Sequence, residues 1–186
     1  MMSKVTIISG SPSEHTRLNG ALDYVVEFFE GVNHSPEIIH IRNLPAEDLI
    51  QARFDSNKIT DANKKVEDSS IIVILTPVYK ASFTGVLKTY LDLLPQNSLV
   101  NKTILPIAIG GSIGHLLMID YALKPVLAAL GAIHILKGTY IVDSQVKKLV
   151  NNRYELDGEV KKRLDTELNT LKPSLLSDKG VISSII

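Results

Sequence analysis

The sequence predicts an α/β fold: a doubly wound, five-stranded parallel sheet with helices on both faces. Three observations carry that prediction. Short β-branched runs alternate with longer amphipathic patterns along the chain. One run, Ile71 to Leu75, is apolar at every position, as expected of a strand covered on both faces. Gly, Pro, Ser and Thr cluster directly after several of the runs, where turns must form.

Taken in order, Val5 to Ser9 reads as a buried strand. Leu18 to Glu30 is helical, with Leu22, Val25, Val26 and Phe29 on one face. Glu37 to Ile41 is a second strand entered through Pro36, and Asn43 to Lys58 a polar, irregular connection. Thr60 to Asp68 is a short helix, Ile71 to Leu75 the third strand, and Gly85 to Leu94 a helix. Thr103 to Ile109 is the fourth strand and Ile113 to Leu130 a long helix. Ile133 to Val142 holds the fifth strand, and Leu156 to Leu171 an amphipathic closing helix. The expected domain is 1–172, with a tail at 173–186. That tail ends in VISSII and reads as a frayed end or an arm that packs on a neighbour.

Composition narrows the function. A chain of 186 residues that is 45% hydrophobic can bury a core without metal or disulfide help. It has no cysteine, which removes disulfides, iron–sulfur clusters, thiolate zinc sites and cysteine nucleophiles. Lys plus Arg and Asp plus Glu both total 20, so no bulk field draws in nucleic acid or an anionic membrane. The N-terminal apolar run is too short for a signal peptide, and no apolar stretch nears the roughly 20 residues that span a bilayer. The expectation is a soluble, cytoplasmic protein that contacts neither nucleic acid nor membrane. The five histidines are scattered without helical pairing, so no metal site is expected.

In such a sheet, ligands bind beyond the carboxyl ends of the strands, at the switch point. The first loop there is Gly10-Ser11-Pro12-Ser13-Glu14-His15-Thr16-Arg17. It offers the hydroxyls of Ser11, Ser13 and Thr16, the Arg17 guanidinium, and amides at a helix start, a combination suited to phosphate. It is neither G-x-G-x-x-G nor a P-loop. Alone it is equally a plain turn with Thr16 as a helix cap. The second loop is Thr76-Pro77-Val78-Tyr79-Lys80, where a stiff proline precedes residues able to cover a flat ring. The third is Gly110-Gly111-Ser112, whose glycines allow close backbone approach; alone it reads as a flexible turn.

Gly110 to Gly114 also matches G-x-S-x-G between a strand and a helix, the setting of a hydrolase nucleophile elbow. A hydrolase needs a later acid and then a later histidine. Only His115 and His134 follow Ser112, and neither leaves room for an acid from a separate later loop.

The stretches TPVYKASFTGVLKTYLDLLPQ and LPIAIGGSIGHLLMIDYALKPVLAALGA, then DSQV, together with the N-terminal GSPS and ARFDS at Ala52 to Ser56, resemble the NADPH-dependent FMN reductases. They are similar in particular to the reductase components of two-component alkanesulfonate monooxygenase systems. The likeness runs from about Val5 to Val146 and finds no match from Asn151 onward. It implies a flavodoxin-like fold of strand order 2-1-3-4-5, FMN as flavin and NADPH as hydride donor. By matching position, Ser11, Thr16, Arg17, Leu18 and Asn19 would serve the FMN phosphate. Pro77, Val78, Tyr79 and Lys80 would line the ring, with Gly110, Gly111 and Ser112 at its far edge. Leu18 and Asn19 stand where hydroxyl residues are common in the family, so contacts there would come from the backbone. No catalytic side chain is implied, because the flavin carries the chemistry. The implied partner is a flavin-dependent monooxygenase. The rivals are a quinone or azo-dye reductase and a flavodoxin-type electron carrier, the latter disfavoured by the lack of an acidic balance.

The stretch from Ile113 to Leu130 is apolar almost all round, which predicts an interface and a homo-oligomer. Within it, Pro125 has no N–H for the Tyr121 carbonyl, so a π-bulge is expected around Tyr121. The resemblance implies the same: the matching tyrosine of the sulfonate-linked reductases lies in a π-helix at a tetramer interface near the flavins.

Overall fold

The structure, a computed structural model, describes residues 4–176. Strand β1 (Val5–Ser9) lies between β2 (Glu37–His40) and β3 (Ile71–Tyr79), parallel to both. On the far side of β3 comes β5 (Thr103–Gly110), with the two-residue β4 (Ser82–Phe83) folding back on the end of β3. Beside β5 run β6 (His134–Ile135) and β7 (Thr139–Val142), two segments of one line, both parallel to it. The sheet order β2-β1-β3-β5-β6 is the doubly wound flavodoxin-like arrangement, with its switch point between β1 and β3.

Alternation along the strands builds two cores. Ile7, Val73, Leu75, Leu105 and Ile107 face one side, where α1 (Leu18–Gly31) and α6 (Gly158–Leu176) cover them. Ile8, Ile72, Ile74 and Ile104 face the other side. There α2 (Ala46–Ile50), α3 (Asn57–Asp68), α4 (Gly85–Leu91) and α5 (Lys124–Ala129) contribute Leu49, Ile59, Val66, Leu87, Tyr90 and Leu127. Deleting one such side chain, as in Ile74→Ala, costs about 2–5 kcal/mol. An antiparallel hairpin, β8 (Val146–Lys148) with β9 (Tyr154–Leu156), packs on α1, where Gly20 has no side chain to hold it off.

Several sequence-derived bounds change, each for a local reason. The third strand does not stop at Leu75: Thr76 and Pro77 stay in register with Ala108 and Ile109. Pro77 is tolerated because β1 has ended, leaving that side of β3 without a ladder partner. The second strand ends at His40, with Ile41 opening a 3₁₀ turn. The connection 43–58 is not wholly irregular: α2 buries Leu49, and α3 begins at Asn57 so that Ile59 enters the core. The helix expected to Leu94 ends at Leu91, tightening into i→i−3 bonds at Leu93 and Leu94 ahead of Pro95. The fifth strand is interrupted at 136–138, where Gly138 takes φ +86° against the backbone of Pro106.

The expected long helix 113–130 is three pieces: a 3₁₀ turn at Ile113–His115, a π-helical turn at Ile119–Leu123, and α5. In the π turn the Lys124 N–H donates to the Ile119 carbonyl, five residues back. The closing helix starts at Gly158, not Leu156, which belongs to β9. It also runs through Pro173, past the expected domain end at 172, because Leu168, Leu171 and Leu175 keep one face buried while Pro173 points to solvent. The VISSII end lies outside the described residues.

Candidate functional site

The carboxyl ends of β1, β3, β5 and β7 open onto one cavity of about 360 Å³. Its wall takes Ser13, His15, Thr16 and Arg17 from the loop after β1, and Pro77, Val78 and Tyr79 from the end of β3. Ile109, Gly110 and Gly111 come from the end of β5, Asp143 from the end of β7, and Lys148 and Tyr154 from the β8–β9 hairpin. Such a volume is that of a small-molecule site.

The β1 loop holds its own shape. The buried Ser11 hydroxyl donates to the Ser13 carbonyl and accepts from the Ser13 N–H, closing a tight turn. Thr16 Oγ1 accepts from the Leu18 N–H at 3.3 Å as α1 begins. The Arg17 Nε donates to the Val146 carbonyl at 3.3 Å, so the guanidinium is tied to the hairpin and lies along the cavity wall. With Lys148 it makes this end of the cavity the cationic one, and the His15 imidazole lies beside them.

The opposite end is built by close approach. The Tyr140 hydroxyl donates to the Ser112 carbonyl at 2.6 Å, fixing the loop after β5. A Cβ on Gly110 would fall on that same hydroxyl, so only glycine fits. Burial raises the Tyr140 phenol above its usual pKa, and the Asp143 carboxylate raises it further. The β3–β4 hairpin turns through Lys80 and Ala81 with φ of 50° and 63°, a left-handed pair that neither side chain favours.

Most of the expected site residues meet here: Thr16, Arg17, Pro77, Val78, Tyr79, Gly110 and Gly111 line the cavity, and Ser11 shapes its loop. Four stand off it. The Leu18 side chain is fully buried in the core, so only its backbone lies near the loop. Asn19 donates to the Glu14 carbonyl and lines a separate cleft beside β2. Lys80 sits exposed on its turn, and Ser112 Oγ accepts from the Gly114 N–H as a cap rather than standing ready as a nucleophile. Tyr121 lies on the π-helical turn with 79% of its surface exposed. Sequence reasoning missed His15, Ile109, Asp143, Lys148 and Tyr154. The signal for Asp143 was present, since it directly follows the fifth strand.

The donor set fits FMN. Ser13, Thr16, His15, Arg17 and Lys148 give part of the wall hydroxyls and basic side chains suited to a phosphate, and Gly110 and Gly111 with Tyr79 and Val78 bound a slot suited to a planar ring. Comparison with known proteins points the same way. The family model described as NADPH-dependent FMN reductase matches residues 3–147. An FMN reductase (NADPH) of Escherichia coli is 40% identical over 172 residues, 92% of this chain and 90% of that protein. One of Pseudomonas putida is 42% identical over 172 residues, 92% and 87% of the two chains. The crystal structure of an NADH:FMN oxidoreductase (EMOB) in its apo form superposes with a TM-score of 0.83 at 31% identity, covering 96% of this chain and 92% of that one.

Proposed function

Because this chain belongs to the NADPH-dependent FMN reductase family, we propose that it treats FMN as an exchangeable substrate and supplies the reduced flavin to a flavin-dependent monooxygenase. The protein is an enzyme, with FMN as its flavin and NADPH as its hydride donor. One hydride moves from NADPH to FMN, carrying two electrons, and leaves NADP⁺. The flavin supplies the hydride-accepting ring, and the protein supplies position.

The single observation that carries exchangeability is the make-up of the cavity wall. Within the Ser11–Ser13 turn the Ser13 N–H is already given to the Ser11 hydroxyl, so little loop backbone is left to grip a phosphate, and the ring slot is lined by Pro77, Val78, Tyr79, Ile109, Gly110 and Gly111, none of them charged. Arg17, the one long side chain of the β1 loop aimed at the phosphate end, is partly committed to Val146. Thr16 offers its hydroxyl there, the Leu18 and Asn19 N–H groups are given to Thr16 itself, and Lys80 and Ser112 follow the wall residues Tyr79 and Gly111 in the chain. A partner of the alkanesulfonate type, and a cytoplasmic location, belong to this same reading. Among the described residues no helix is long and apolar enough to cross a membrane.

The reading includes a homo-oligomer. Ile113, Leu116, Leu117 and Tyr121 are exposed side by side in the sequence at and before the π turn, an apolar surface suited to a second copy. Light scattering at micromolar concentration should give a dimer or tetramer, and Tyr121→Ala should keep the fold while slowing flavin release or electron transfer. A monomer whose Tyr121→Ala variant turns over like wild type would remove that part.

Steady-state oxidation of NADPH, with and without added FMN, tests the main reading. The rate should saturate with added FMN. A protein that retains one FMN and ignores added flavin would be a fixed-flavin reductase or a carrier instead.

A further inference from the structure

The β7 end presents a carboxylate that the fold does not use. Asp143 lies half-buried in the cavity wall, one residue beyond Val142, which is in register with Gly110. Its Oδ2 is 3.9 Å from the point a Cβ on Gly111 would occupy. Among the described residues its side chain forms no ion pair and takes no hydrogen bond. The nearby Arg163 spends its guanidinium elsewhere, donating to the Tyr140 carbonyl at 2.7 Å and to Gln145 Oε1 at 3.0 Å. The segment is not free to swing away, because Gln145 Oε1 also accepts from the Val142 N–H and the Gln145 carbonyl accepts from the Asp157 N–H. The cationic residues of the cavity, Arg17 and Lys148, come from the β1 loop and the hairpin, and Arg17 is tied to Val146.

A fixed, unpaired negative charge in a partly desolvated cavity interacts differently with the two states of a flavin. Hydride addition brings two electrons and one proton, so the ring gains one negative charge. A carboxylate in the same cavity opposes that charge and leaves the uncharged oxidised ring unaffected.

We propose that Asp143 is an electrostatic release element, which weakens the hold on FMN once the ring has been reduced. The proposal rests on the reading of this cavity as the FMN site. It gives a role to a carboxylate that makes no ion pair and takes no hydrogen bond among the described residues, and it suits an enzyme whose product must leave.

The test is anaerobic titration of the wild-type protein, Asp143→Asn and Asp143→Glu with oxidised and with dithionite-reduced FMN, together with the midpoint potential of the bound flavin. Asp143→Asn should tighten reduced FMN relative to oxidised FMN by about 5- to 10-fold and raise the potential accordingly. Asp143→Glu, which keeps the charge, should stay near wild type. If Asp143→Asn shifts both affinities equally and leaves the potential unchanged, the residue is only a contact and the proposal fails. If wild type binds neither form of FMN, the reading of the cavity fails as well. If wild type binds both while their ratio is the same in all three proteins, only the release element is overturned.

Discussion

The two ends of the cavity are built on opposite principles. The end at the β1 loop is satisfied within itself: the Ser11–Ser13 turn and the Thr16–Leu18 bond hold it without a ligand. Little is strained there, and Thr16 and Arg17 are left lining the cavity. The end at β3 and β5 is held by tight contact, with Gly110 against the Tyr140 hydroxyl and two residues in left-handed conformation at the β3–β4 turn. The lesson is a division of labour. Electrostatics should set affinity at the relaxed end, and shape should set which planar group enters at the constrained end.

The largest effect should come from shape. Gly110→Ala places a methyl on the Tyr140 hydroxyl and breaks its bond to the Ser112 carbonyl. It should cost about 1–3 kcal/mol of stability and abolish flavin binding at micromolar concentration, by thermal unfolding and fluorescence titration. A variant that unfolds and binds like wild type would show that the slot is not tight. Next comes Arg17→Ala, which should weaken FMN by at least about 1 kcal/mol and riboflavin hardly at all. Equal loss for both ligands would mean that Arg17 acts by holding the hairpin at Val146, and not through the phosphate. The smallest effect is at the β3–β4 turn. Ala81→Gly relieves a left-handed alanine and should stabilise the fold by about 0.5–1 kcal/mol, read as a higher urea midpoint. If it destabilises instead, the turn is held by contacts that outweigh its backbone cost.

The same contrast decides what was legible in the sequence. The relaxed end is local: a strand, a hydroxyl-rich turn and a helix start follow one another in eight residues, and Ser11, Thr16 and Arg17 stand where the pattern puts them. Leu18 could not be placed so directly, since a residue at a helix start turns to core or ligand according to the helix's rotation. The constrained end is assembled from distant segments, the ends of β3, β5 and β7. The hairpin residues Tyr154 and Lys148, the latter set with Arg17, reach the cavity from a hairpin that lies on α1 beside Gly20, a contact across more than a hundred residues. The fold was readable because apolar alternation and turn chemistry agree along nearly the whole chain. It was misread where tertiary burial overrode a local breaker, as at Pro173, or where Pro77 sat in a strand that had lost one neighbour. Around Tyr121 the breaker itself was the signal: Pro125 removes an amide, and the π turn lies just before it.

The central claim is that one cavity holds both ends of FMN, and flavin fluorescence tests it most directly. Titration of the wild-type protein with FMN, and separately with riboflavin, should give saturable quenching at one flavin per chain. FMN should bind at least about 10-fold more tightly than riboflavin, the low end of what one charge-assisted contact contributes. Equal affinities, or no quenching by either ligand, would contradict the assignment of the β1 loop to the phosphate and of the glycine slot to the ring.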